Sequence, residues 1–272
     1  MYMLIFCQSP LILPVQEFFI TLSTEIIYKG MEGNSGSLYE RLMSDIHMQE
    51  GLSACINCGT CTAICPAAMF YKYDPREIVV TVASRDEQKI EELLKSDTIW
   101  ACGECMSCKT RCPRGNAPGL VIIALRVLSE ETGFFVESEK GRQVLAIKRM
   151  IGQSILDTGY CVWFDHLNLG AFPEQGPNWQ WVRDNASEVL DKTGASYRKE
   201  TSGALRTIPQ KDLDELHKIF EVTGGMKRYE TIENFSRKKA EEIGLQFDET
   251  NDCEYFQHVY SYNSHKLENN EG

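Results

Sequence analysis

Eight of the eleven cysteines in this chain fall into two copies of one spacing, and that repeat limits its folding more than any other feature. The copies are Cys55-x2-Cys58-x2-Cys61-x3-Cys65-Pro66 and Cys102-x2-Cys105-x2-Cys108-x3-Cys112-Pro113. Three thiolates at three-residue steps can wrap one face of a cuboidal [4Fe–4S] cluster, while the fourth, farther along and followed by proline, reaches a second cluster. By that pattern Cys55, Cys58, Cys61 and Cys112 hold one cluster, and Cys102, Cys105, Cys108 and Cys65 hold the other. The crossing would pin the two motifs together and keep the clusters close enough to exchange electrons.

Two plainer readings of the cysteines are weaker. Structural zinc takes four ligands per ion, commonly as two cysteine pairs, and has no use for a fourth cysteine placed three residues on and followed by proline. Disulfide frameworks belong to short secreted chains, whereas 272 residues with 43% hydrophobic content are ample for a core. Free thiols imply a reducing compartment, and the cytoplasm is the expectation.

Charge and apolar patterning bound the remaining classes. A formal net charge of −11 argues against nucleic acid as a partner and favours a basic partner surface, although ordinary solubility would serve as well. The apolar patches between Met1 and Leu22 are broken by Pro10, Pro14, Gln16 and Glu17, too short for a membrane span, and lack the features of a secretory signal. Residues 1–30 read as a mispredicted upstream start or a disordered extension, with Met31 in frame before a polar stretch; a peripheral docking segment is the rival. No later window is apolar enough for a span.

Between and after the motifs the periodicity is helical. Asp74-Pro75-Arg76-Glu77 supplies a capping acid, a first-turn proline and a glutamate ahead of Ile78, Val79, Val80 and Val82. Ser84-Arg85-Asp86-Glu87 reads as a second capping box before Ile90, Leu93 and Leu94. Pro118 opens a helix with Leu120, Ile123, Ala124, Val127 and Leu128 on one stripe, ending near Gly133. Strand alternation is absent, so the expected fold is all-α: a helical ferredoxin domain with two [4Fe–4S] clusters over residues 31–135, then a mainly helical extension over 136–260 and a disordered tail over 261–272.

In the extension, Glu137–Leu156 reads as an amphipathic helix through Val144, Ile147, Ile151 and Ile155. The stretch from Gly159 to Trp181, with Trp163, Phe164, Phe172, Trp179 and Trp181, reads as irregular packed chain. Its aromatic residues either fold back on the core or dock a partner. Two helices follow, Pro209–Val222 closed by Gly224-Gly225, and Thr231–Ile243 closed by Gly244. Cys7, Cys161 and Cys253 lack partners at metal-binding spacing, and no nucleophile–base pair, phosphate loop or dinucleotide fingerprint occurs, so no catalytic residue is assigned. Lys109, Arg111 and Arg114 interleave with the second motif, where positive charge would stabilise a reduced cluster and raise its potential.

The segment Asp97-Thr98-Ile99-Trp100-Ala101-Cys102 through Cys112-Pro113-Arg114-Gly115, with Cys55-Ile56-Asn57-Cys58-Gly59-Thr60-Cys61, resembles the C subunit of heterodisulfide reductase and its bacterial relatives over residues 50–135. The resemblance implies a non-catalytic, helical electron wire whose eight motif cysteines ligate two clusters. Its implied partners are a flavin-containing iron–sulfur subunit and a second subunit whose CCG motifs hold the catalytic cluster. The extension departs from the short methanogen form and is more similar to longer bacterial forms in sulfur-oxidising complexes, which implies sulfur or thiol–disulfide metabolism. Succinate dehydrogenase-type subunits are excluded because residues 1–54 offer only Cys7, and this chain has no adjacent cysteine pair of its own, so a CCG site would come from another chain. A free ferredoxin-like carrier, an iron–sulfur subunit of another CCG-type oxidoreductase and a module with purely structural clusters are the alternatives.

Overall fold

A computed structural model describes residues 36–166 and 177–261. The expectations for residues 1–30, for Cys7 and Phe172, and for the tail from 262 lie outside the described residues. These are mostly helical, and no strand occurs among them.

The first core is organised by one long helix, Pro118–Thr132, which buries Val121, Ile122, Ala124, Leu125 and Leu128 and ends on Gly133 in the left-handed region. The buried face is turned from the expected stripe: Leu120, Ile123 and Val127 are only half-buried. Neighbours on several sides give this helix more than one stripe to bury, so a single-face pattern misplaces it. Against it pack Ile46–Gly51, Pro75–Ala83 and Glu87–Lys95, the last through a hydrogen bond from the Ser129 hydroxyl to the Leu94 carbonyl at 2.7 Å.

Helix Pro75–Ala83 starts as expected, with the Asp74 carboxylate accepting from the Arg76 and Glu77 N–H groups, a cap worth about 1 kcal/mol. The next cap is corrected. Asp86, not Ser84, caps Glu87–Lys95 by accepting from Lys89 N–H, while Ser84 closes the preceding helix. Glu87 instead turns its carboxylate onto the N–H groups of Leu38 and Tyr39, which start helix Leu38–Ser44.

The second core begins one residue after the first ends, at Phe135 and Val136, and gathers Leu145, Ile232, Tyr255, Phe256 and Val259. Half-buried Trp100 packs against both cores. Gly133 is needed at the junction, since a side chain there would overlap the Phe235 ring. The expected continuous helix from 137 to 156 is broken into Glu139–Arg142, Val144–Ala146, a π-helical stretch Ile147–Gly152 and Gln153–Thr158. The wider π turn rotates the face, leaving Ile147 59% and Ile151 41% exposed and burying Arg149 instead. Arg149 is satisfied there by Glu233 (2.9 and 2.7 Å), by the carbonyls of Thr250 and Asp248, and by the flanking Phe247 and Phe256 rings.

Helix Gln210–Val222 matches its expected span, but Gly224-Gly225 opens a helix as well as closing one. The next helix, Gly225–Glu242, starts six residues before the expected Thr231. In the aromatic stretch, Trp179 and Trp181 belong to helix Pro177–Asp184 rather than to irregular chain. Tyr160 stacks on Trp163, Trp163 meets buried Tyr197, and Phe164 packs against Tyr197 and Trp179. These rings largely cover one another, whereas Trp181 stays 59% exposed.

Candidate functional site

The two cysteine motifs share one backbone form. In each, the residue two beyond the first cysteine (Asn57, Glu104) and the residue four beyond it (Gly59, Met106) has positive φ. This turns the Asn57 N–H onto Cys55 Sγ and the Glu104 N–H onto Cys102 Sγ, each at 3.4 Å. A short helix then follows, Thr60–Ala63 or Ser107–Arg111, and the two short helices pack together. A hydroxyl occupies equivalent positions, Thr60 Oγ1 at 3.4 Å from Cys58 Sγ and Ser107 Oγ at 3.5 Å from Cys105 Sγ.

The thiols titrate in the same parallel way. Hydrogen bonds with Thr60 and Ser107 hold Cys58 and Cys105 below the usual thiol range, favouring the thiolate that binds metal. Burial pushes Cys61 and Cys108 above it. A metal cation would reverse that cost, since a coordinated thiol is deprotonated outright.

Four cysteines line one cavity: Cys55, Cys58, Cys61 and, from the other motif, Cys112. A backbone latch brings Cys112 there. Buried Asn116 accepts the Ser53 N–H through Oδ1 at 2.6 Å, and the Ala117 N–H donates to the Gly51 carbonyl at 2.9 Å. The turn after the second motif is thereby sewn to the chain entering the first. Gly51 has no room for a side chain, since a Cβ would sit 3.1 Å from Val121.

The remaining four are linked through shared neighbours. Cys65 and Cys102 pack against the first core, where buried Tyr73 has its hydroxyl pushed well above the usual tyrosine range by burial and then by Cys102 and Cys65. Cys108 is influenced by Cys102 and Cys105 and by the Gly119 backbone. The tight neighbour of Gly119 is Met106 of the same loop, whose Sδ a Cβ there would meet at 3.0 Å.

All eight motif thiols are free, and among the described residues no three Cys, His, Asp or Glu side chains converge on one point as around a single ion. Thiols spread around a cavity suit a cube in which each thiolate meets a different iron, so the donor set fits a [4Fe–4S] cluster. Cys161 is exposed and Cys253 is buried beside Arg149, both away from these loops.

Each loop also carries an arginine that sequence reasoning missed. Arg76 bridges Asn57 (2.9 Å) and Asp74 (2.8 Å), and Asp74 also takes the Thr62 hydroxyl. Arg126 donates to the carbonyls of Ile99 (2.8 Å) and Cys102 (2.7 Å), pairs with Glu104, and lies over the Trp100 ring. The only advance signal was a basic residue within each neighbouring helix, which is too common to single out. Of the basic residues noted in the second motif, Lys109 pairs with Glu50 at 3.4 Å and Arg114 lines the cavity of Cys112.

Residues 51–116 match the family model of a 4Fe-4S dicluster domain, so two [4Fe–4S] clusters are the cofactors. The chain is 33% identical over 160 residues to the C subunit of the ferredoxin:CoB-CoM heterodisulfide reductase of Methanosarcina acetivorans, covering 58% of this chain and 61% of that one. It is 30% identical over 155 residues to the C subunit of the H(2):CoB-CoM heterodisulfide,ferredoxin reductase of Methanothermobacter marburgensis, covering 53% of this chain and 76% of that one. With the iron–sulfur C subunit of the CoB–CoM heterodisulfide reductase of Methanopyrus kandleri it shares 31% identity, over 41% of this chain and 52% of the relative. The chain thus spans about half to three-quarters of the curated relatives it matches. Because one alignment is 58% of this chain and 61% of the Methanosarcina protein, a chain nearly this long also occurs among methanogens.

Proposed function

Because this chain belongs to the family of heterodisulfide reductase C subunits, we propose that it is a non-catalytic electron relay within a heterodisulfide-reductase-like complex. It would connect a flavin-containing iron–sulfur subunit with a CCG-motif catalytic subunit in sulfur or thiol–disulfide metabolism. The observation that carries the relay is the meeting of Cys112 with Cys55, Cys58 and Cys61 around one cavity, which couples the two motifs physically.

In this reading Cys55, Cys58, Cys61 and Cys112 hold one cluster and Cys102, Cys105, Cys108 and Cys65 the other. When bound, such clusters accept and release single electrons. The chain's own residues do the rest. The N–H groups of Asn57 and Glu104 and the hydroxyls of Thr60 and Ser107 stabilise negative charge on sulfur, Asn116 keeps Cys112 in reach, and the buried ring of Tyr73 backs Cys102 and Cys65. No helix of the described residues is long and apolar enough to cross a membrane.

Anaerobic reconstitution should give about eight irons per chain, two clusters of four. The Cys112→Ser variant should lose or alter the cluster of Cys55, and Cys65→Ser that of Cys102, with dye-linked electron transfer but no turnover of a disulfide or thiol by the chain alone. Zinc in place of iron, or selective damage by Cys65→Ser to the Cys55 cluster, would refute the ligation; sustained disulfide reduction by the isolated chain would refute the relay role.

A further inference from the structure

The two cysteine loops match in backbone and in the hydrogen bonds to their first and second sulfurs, so charged side chains around them are a main source of electrical difference between the two sites. Those side chains differ in charge. The first cavity is lined by two arginines, Arg76 and Arg114. Asp74 balances Arg76 through the 2.8 Å ion pair. Among the described residues Arg114 has no ion-pair partner, and it follows Cys112 by two residues.

At the second site the charges nearest the loop are paired, while Arg111, which also has no ion-pair partner among the described residues, directly precedes Cys112 of the first site. Position 104, equivalent to Asn57, is a glutamate, and it takes the charge of Arg126. Lys109 is likewise matched by Glu50. Tyr73 adds a hydroxyl beside Cys102, but a neutral group acts only through its dipole, while Arg114 contributes a whole unbalanced charge.

We propose that Arg114, together with Asn57 in place of an acid, makes the site of Cys55, Cys58, Cys61 and Cys112 the more electron-accepting of the two, so that electrons within this chain run from the Cys102 side to the Cys55 side. Reduction adds negative charge to an already anionic group, so the site with an uncompensated cation gains more on reduction. In each transfer one electron leaves the second site, which is oxidised, and enters the first, which is reduced; no bond changes and no proton is needed. The inference rests on the reading that Cys112 closes the first site.

Potentiometric titration of the full reconstituted chain, followed by electron paramagnetic resonance, tests it. Two waves are expected. Arg114→Gln and Asn57→Asp should both lower the higher wave and leave the other in place. A tenfold loss in the preference for the first site would read as about 59 mV for one electron. Arg114→Lys, which keeps the charge, should restore the wave, and Glu104→Gln should raise the lower wave. The inference is overturned if both waves coincide, if Arg114→Gln moves neither, or if Asn57→Asp lowers the lower wave. Failure of the underlying ligation looks different: Cys112→Ser and Cys102→Ser would then alter the same wave, whatever the arginine variants do.

Discussion

The region up to Phe134 and the region from Phe135 onward solve the same problem, a helical core with buried polar groups, by opposite means. In the first, the apolar core is ordinary but the loops it carries are costly: Asn57, Glu104 and Met106 all adopt positive φ, worth roughly 1–2 kcal/mol apiece against an L-residue. They are held by Arg76, Arg126 and the Asn116 latch, and their thiols surround space rather than each other. In the second, the equivalent buried polar group is a complete ion network, Arg149 and Lys148 on Glu233, sandwiched by aromatic rings and requiring nothing further. One region is shaped for a guest and the other is closed on itself.

The sharpest way to break that contrast is to open the closed side. Glu233→Ala leaves Arg149 buried and unpaired, a loss of about 3–5 kcal/mol. Phe235 against Gly133, Trp100 between the cores and the Arg228–Glu130 pair at 2.5 Å tie the regions together. Helicity and cluster absorbance should therefore fall in one thermal transition, earlier than in the parent; cluster absorbance outlasting the helicity would show two independent units. The same network sets an acid limit. Burial alone would raise the Glu233 carboxyl, but hydrogen bonds from Arg149 and Lys148 outweigh it and hold the pKa below the ordinary value. The stabilisation is therefore complete above about pH 4.3 and lost as pH falls through the lower folded pKa. A pH titration of the thermal midpoint checks this, and Glu233→Gln should flatten that acid limb.

A smaller effect is expected on the guest side. Asn116→Ala removes the acceptor for the part-buried Ser53 N–H and should cost about 0.5–1.5 kcal/mol. Its signature is local. Iron at the Cys55 site should fall well before iron at the Cys102 site, since the latch draws only Cys112 toward the first motif. Equal loss at both sites would mean that Asn116 serves the core and not the crossing.

The cysteine spacing made the functional half legible because ligand geometry fixes residue type and step together. The first helix caps and the span Gln210–Val222 were legible for the same local reason, a cap or proline next to an apolar period. What was hidden required contacts distant in the chain. Glu87 looked like the N3 residue of its own helix, yet its carboxylate serves Leu38, far upstream. Ile147 and Ile151 looked core-facing until the π turn rotated them outward around buried Arg149. The latch of Asn116 onto Ser53 and the arginines of the two loops likewise pair residues that no periodicity connects.

The smallest expected effect concerns Trp181 and separates packing from docking in the extension. Trp163, Phe164 and Trp179 are engaged with one another and with Tyr197, so their loss would damage the fold and reveal little about partners. Trp181, on the same helix as Trp179, has no such cover and is 59% exposed. Large exposed aromatics are enriched at the centres of protein interfaces, where truncation commonly costs about 2 kcal/mol or more, roughly thirtyfold in affinity. Trp181→Ala should therefore leave the thermal midpoint within the spread of ordinary surface changes, about 0.5 kcal/mol, and leave iron content unchanged. Its effect should surface only against the proposed partner subunits, as a weaker complex in quantitative co-purification. If Trp181→Ala binds them as tightly as the parent chain, the aromatic stretch serves the fold alone, and the docking surface must be sought elsewhere, beginning with exposed Met69 and Phe70 beside Cys65.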